Sequence, residues 1–210
     1  MENKKDFNEL ADNESIERTI SALNANGMTA ELVNNGEEAK KKVLSMIPEA
    51  SEVMNMTSAT LEKLGLDKEL TSDKYNSVRR KLMSIDRKTQ SQEVFKVLKK
   101  SGSSPDYAIG SVQAITEDGK VLMASATGSQ LPAYVYGANK VIWVVGVNKI
   151  VKNIEEAMNR LEKHVFPLEN ERVKKAYNIP GSSINKILIL QKETVKDRIH
   201  IILVKESLGF

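Results

Sequence analysis

The stretch from Ala114 to Ile150 constrains the fold of this chain more than any other. Ala114-Ile115-Thr116-Glu117-Asp118-Gly119-Lys120-Val121-Leu122 has apolar, β-prone arms around an Asp-Gly turn, the short-range signature of a hairpin. Ala126-Thr127-Gly128-Ser129-Gln130-Leu131-Pro132 then reads as a loop entering a helix over Leu131 to Tyr136. Lys140 to Ile150 is a run of β-branched and aromatic residues suited to a strand buried on both faces. Strand, turn, strand, loop, helix and buried strand in this order leave polar loops at the end of a sheet, where open α/β folds place their ligands.

The flanking segments extend this pattern. Glu14 to Asn26 has helical spacing at Ile16, Ile20 and Leu23, and Gly27 stops it. A strand at Met28 to Val33, a helix from Glu37 to Ile47 halted by Pro48, and a strand at Glu52 to Met56 follow. Thr57-Ser58 caps a short helix that ends at Gly65. Tyr75 to Lys100 carries an apolar stripe of Val78, Leu82, Ile85, Val94, Val97 and Leu98, interrupted near Thr89-Gln90-Ser91, and reads as a helical pair covering the sheet. Strands are expected over Asp106 to Ile109, Val112 to Thr116 and Lys120 to Ser125. Helices follow over Asn153 to His164 and Leu168 to Tyr177, with Pro167 as the breaker between them, and strands over Lys186 to Gln191 and Arg198 to Val204 close the chain. The expected fold is α/β, a three-layer α/β/α sandwich whose central sheet is mostly parallel with antiparallel additions. Residues 1–26 read as an N-terminal helical segment and 27–210 as a single α/β domain.

Composition bounds the function. A chain of 210 residues with 40% hydrophobic content supports a core of ordinary size. Thirty-one basic and 28 acidic residues leave a net +3, interspersed along the chain, which argues against nucleic acid as a partner. The absence of cysteine excludes disulfides, thiolate metal sites, iron–sulfur ligation and a cysteine nucleophile. The start is charged, and the longest apolar run, near Val141 to Val147, is too short to cross a bilayer, so the reading is a cytoplasmic protein with no membrane partner. His164, at a helix end, and His200, in an alternating strand, form no metal or triad pattern, and no cofactor fingerprint is present.

Candidate ligand contacts fall in the loops. Thr127, Gly128, Ser129 and Gln130 offer amides and hydroxyls at a helix start, suited to a carboxylate or phosphate. Thr57 and Ser58 offer the same at a second strand-to-helix junction. Asn148 and Lys149 follow the buried strand at its carboxyl end. Tyr134 and Tyr136 point to different faces of a helix, so at most one lines a crevice, and Trp143 is expected in the core. Glu117 is the one carboxylate in the stretch to consider as a catalytic base, although Glu117-Asp118 reads first as a turn.

At Met56 to Leu66, Ser111 to Gly119, Val141 to Ile154 and Arg198 to Phe210 the sequence resembles the LUD-domain family, named for lactate utilisation. The resemblance implies a fold similar to ribose-5-phosphate isomerases and CoA-transferases, with ligands bound in loops above the sheet, and adds Ser111 and Gln113 to the ligand-binding candidates. It implies a small anionic metabolite as ligand, a place in a lactate-utilisation system beside an iron–sulfur partner protein, and possible homo-oligomers. Two other readings stay open: an isomerase or transferase acting on a sugar phosphate or CoA ester, and a regulatory or assembly subunit for the iron–sulfur partner. Two departures limit the transfer. Met123 to Gln130 lacks the acidic and arginine residues that many relatives carry there, and Asn178 to Ser183 lacks their cysteine cluster.

Overall fold

The computed structural model describes residues 6–84, 92–178 and 180–210. In chain order the elements are α1 (Asn13–Ala25), β1 (Thr29–Val33), α2 (Gly36–Met46), β2 (Glu52–Asn55), α3 (Ala59–Lys63), α4 (Leu66–Leu70), β3 (Asn76–Ser77), α5 (Val78–Met83), α6 (Gln92–Ser103), β4 (Tyr107–Gly110), β5 (Ala114–Thr116) and β6 (Val121–Ser125). A π-helical turn (Ala133–Gly137) leads to β7 (Lys140–Gly146), a 3₁₀ turn (Val147–Lys149) and β8 (Ile150–Val151). Then come α7 (Ile154–Arg160), a second π-helical turn (Leu161–Val165), α8 (Phe166–Tyr177), β9 (Lys186–Leu190) and β10 (Ile199–Val204).

Six strands form one sheet in the order β1-β10-β7-β4-β2-β3. Every neighbouring pair is parallel, as the continuous apolar run of β7 demands of a strand covered on both faces. Alternation along the strands splits the core in two. Val141, Trp143 and Val145 face one side with Ile199, Ile201 and Leu203, where Ile16 and Leu23 of α1 pack. Ile142 and Val144 face the other side with Ile202 and Val204, covered by Ala39, Val43, Leu61, Leu66 and Leu70 from α2, α3 and α4.

The fold is α/β with a mostly parallel central sheet flanked by helices, and the hairpin belongs to a second, mixed sheet in the order β8-β5-β6-β9, in which β6 runs antiparallel to β5 and β9 while β8 is parallel to β5. These strands leave the central sheet because the hairpin is apolar on both faces. Ile115, Val121 and Met123 join the core beneath the parallel sheet, while Ala114 and Leu122 face a third cluster with Ala157, Leu161 and Val165. The Asp118-Gly119 turn closes the hairpin as its sequence requires, with Gly119 at φ 80°.

Three local expectations are corrected. The segment expected to open a long helix at Tyr75 instead buries Tyr75 and adds Asn76–Ser77 to the sheet edge. Helix α5 starts only at Val78, where the Ser77 hydroxyl accepts from the Arg80 amide at 3.2 Å. Ile85 and Thr89-Gln90-Ser91 lie outside the described residues. Pro167 does not break the chain between two helices. The preceding turn widens to the π form, with the Phe166 amide donating to the Leu161 carbonyl, and Pro167 falls in the first turn of α8, where its missing N–H is tolerated. His164 is therefore inside a continuous helical segment and not at a helix end.

Candidate functional site at the carboxyl edge of the parallel sheet

Because all six strands run the same way, the loops after β1, β2, β4, β7 and β10 gather at one edge. Lys149 lies there, three residues beyond the end of β7 at Gly146, in a 3₁₀ turn that carries its side chain inward. It is 2% exposed. Its Nζ donates to Thr60 Oγ1 at 3.1 Å and to Ser111 Oγ at 3.2 Å. Thr60 passes the chain of hydrogen bonds on to the Leu208 carbonyl at 3.2 Å. The segment after β10 closes against this cluster, and Gly209 permits it. A Cβ there would meet Thr60 Oγ1 at 2.5 Å and Lys149 Nζ at 3.4 Å, and φ is 63°.

Arg160 of α7 is a second buried cation. Its Nη1 donates to the Gln113 carbonyl at 2.5 Å, while Nε and Nη2 are buried with no partner. Burial pushes its pKa down to about 10. Burial, and after it the charge of Arg160, holds the Lys149 ammonium well below the usual lysine range. Among the described residues no carboxylate forms an ion pair with either group. Arg198 shows what a compensated buried cation looks like in the same protein. It meets Glu193 Oε2 at 2.6 Å and donates to the carbonyls of Ala133, Tyr134 and Ala138. His164 stands near the Arg160 group with Nε2 buried and unpartnered. Burial and the charge of Arg160 lower its pKa from the usual imidazole value.

The candidate residues from the sequence distribute as follows. Ser111 and Lys149 meet directly. Asn148 Oδ1 accepts from the Leu208 amide at 3.2 Å while its Nδ2 is buried and unpartnered, and Gln113 holds Arg160 through its carbonyl and receives the Ala124 amide on Oε1 at 3.0 Å. Thr57 and Ser58 line a separate crevice beyond β2, where Ser58 also caps α3. Thr127 to Gln130 form a loop hydrogen-bonded to itself at the end of β6. The Gly128 amide donates to Ser125 Oγ at 2.8 Å, the Ser129 amide to Thr127 Oγ1 at 3.3 Å, and Ser125 Oγ to Gln130 Oε1 at 3.0 Å. Glu117 pairs with Arg18 of α1 at 2.9 Å, which ties the hairpin to that helix. Tyr134 is buried edge-on against Trp143, with ring centroids 5.3 Å apart, whereas Tyr136 is exposed. His200 is engaged by Glu31 Oε1 at 2.5 Å. Thr60, Arg160, Asn55 and Arg79 went unread in the sequence. The signal for Arg160 was present: it interrupts the apolar stripe of Ile154, Ala157 and Leu161 on a helix whose face must be covered.

Among the described residues, no group of three or more His, Cys, Asp or Glu side chains is placed to hold a metal ion, and no helix is long and apolar enough to cross a membrane. A family model described as the LUD domain matches residues 16–204. The chain belongs to the LUD-domain family. A crystal structure of a DUF162 family protein from Deinococcus radiodurans superposes on this LUD domain with a TM-score of 0.54 at 13% sequence identity, covering 93% of this chain and 99% of that one. At that identity the likeness is one of fold. No curated protein matches the chain. The family match begins inside α1, the helix whose Ile16 and Leu23 enter the main core.

Proposed function

We propose that this LUD domain binds a small anionic metabolite, a short 2-hydroxy or 2-keto acid or a phosphorylated compound, at the carboxyl edge of its parallel sheet. Lys149 is the charge partner of the ligand, Ser111 and Thr60 orient it, and Arg160 adds positive potential from the side of α7. The observation that carries this reading is the pair of buried basic groups that no carboxylate among the described residues pairs with. Burying an ionised group without a counter-charge costs several kcal/mol, and a bound anion offsets that cost where a protein carboxylate would otherwise do so. The unpartnered Nε and Nη2 of Arg160 and Nδ2 of Asn148 are all donors, as an anion requires.

In a lactate-utilisation system this chain would hold the metabolite, and electron transfer would belong to a partner with an iron–sulfur centre, because no cysteine is available here to ligate one. Calorimetric titration with lactate, pyruvate, phosphosugars and CoA esters tests the proposal. The wild-type chain should bind at least one of these, and Lys149→Met should weaken that binding tenfold or more while melting cooperatively. A folded wild-type chain that binds none of them would contradict it.

A further inference from the structure

A crevice of about 150 Å³ opens beyond the end of β2, between α3, α4 and α5, and its chemistry differs from that around Lys149. Arg79 enters it from α5 and donates through Nη1 to Thr57 Oγ1 at 2.9 Å and to the Asn55 carbonyl at 3.5 Å. Those partners are neutral, and no carboxylate pairs with Arg79 among the described residues. Glu62 and Asp67 nevertheless line the same crevice. The Asn55 side chain is 1% exposed, with neither Oδ1 nor Nδ2 partnered, and Asp67 Oδ1 is buried and unpartnered as well. Buried polar atoms are normally satisfied, so three such atoms around one opening point to a ligand that supplies both donors and acceptors.

Charge selects among ligands. Two carboxylates against one guanidinium disfavour a simple anion, and the guanidinium disfavours a simple cation. A molecule with a carboxylate at one end and an ammonium at the other satisfies both. We infer that this crevice binds a small α-amino acid. Its carboxylate is received by Arg79 with the hydroxyls of Thr57 and Ser58, its ammonium by Asp67 and Glu62, and the Asn55 amide bonds to either end. Thr57 Oγ1 accepts from Arg79 and keeps its own proton to donate to the carboxylate. Size narrows the side chain: a cavity of about 150 Å³ holds benzene, about six heavy atoms, which matches alanine and leaves glycine and serine within range.

Neither Lys149 nor its partners Thr60 and Ser111 line this crevice. Titration of the full chain with L-alanine, glycine and L-serine, against lactate and ethylamine as ligands lacking one of the two charges, tests it by calorimetry and by the amide side-chain resonance of Asn55. An amino acid should bind and shift the Asn55 resonance, and lactate and ethylamine should shift that resonance only at concentrations at least tenfold higher. Arg79→Gln and Asp67→Asn should each weaken binding tenfold or more, and Lys149→Met should leave it unchanged. The inference is overturned if no amino acid binds the folded chain, if lactate or ethylamine shifts the Asn55 resonance as effectively as alanine, or if the affinity survives both crevice substitutions. It is also overturned if the affinity falls with Lys149→Met.

Discussion

Lys149 and Arg198 are both buried cations, yet they stand in opposite relations to the rest of the chain. Arg198 has Glu193 and three carbonyls, so Glu193→Gln leaves a buried guanidinium without its counter-charge and should cost about 3 kcal/mol in denaturant unfolding. Lys149 has two hydroxyls. Replacing it by methionine removes a desolvated amine and keeps its length, so the unliganded Lys149→Met chain should melt no lower than the wild type, and anions should no longer raise its melting temperature. His164 adds a pH dependence. Burial, Arg160 and Lys149 lower its pKa in the folded state, against the opposing pull of Asp6. The unfolded chain thus takes up the proton first as pH falls from about 7.5 toward 5.5, and stability drops across that window. His164→Gln should flatten the fall in melting temperature over the same range. A variant that retains the full wild-type slope would show that His164 is not its source.

At the scale of elements, the hairpin tip is held by contacts that the turn geometry makes possible. Asn26 Nδ2 donates to the Asp118 carbonyl at 3.1 Å, and Arg18 reaches Glu117. A Cβ on Gly119 would lie 2.8 Å from the Ala22 carbonyl carbon and 2.9 Å from its oxygen, at a φ that side chains resist. Gly119→Ala should therefore destabilise the fold by about 1–3 kcal/mol, read from denaturant midpoints at unchanged m-value. Elements of this kind were legible because their signals are local: the Asp-Gly turn, the Ser58 cap and the unbroken apolar run of β7 each specify a conformation without reference to distant residues. Pro167 was not legible in this way. Its effect depends on whether the preceding turn can widen, and packing of Leu161 and Val165 against the second sheet decides that. The polar loop at Thr127 to Gln130 is ambiguous for a related reason. Glycine and hydroxyl side chains serve a ligand or their own backbone equally well, and here the amides of Gly128 and Ser129 are taken within the loop.

Across the whole molecule, the parallel sheet was legible from alternating strands and helices, whereas the separation of the hairpin into a second, mixed sheet was not, because strand pairing is a long-range property. The grouping of Lys149 with Thr60, Ser111 and Arg160 is long-range as well. It joins the ends of β4 and β7, the start of α3 and the end of α7, and of its members the sequence marks only Ser111 and Lys149 as ligand contacts. Helix α1 shows how the layers depend on one another. Leu23 is fully buried beneath the central sheet, so Leu23→Ala should cost about 2–4 kcal/mol and lower one cooperative transition for the whole chain. A separate low-temperature transition for the first helix would mean that it is not part of the same core. Whether an anion supplies the missing counter-charge of Lys149 is read from the Nζ titration of Lys149, followed by NMR in lysine-labelled protein. The titration is compared with and without lactate, pyruvate or inorganic phosphate. A bound anion should raise the Lys149 pKa toward the ordinary lysine value. An anion that binds the folded chain while the Lys149 titration stays where it was would contradict the proposal.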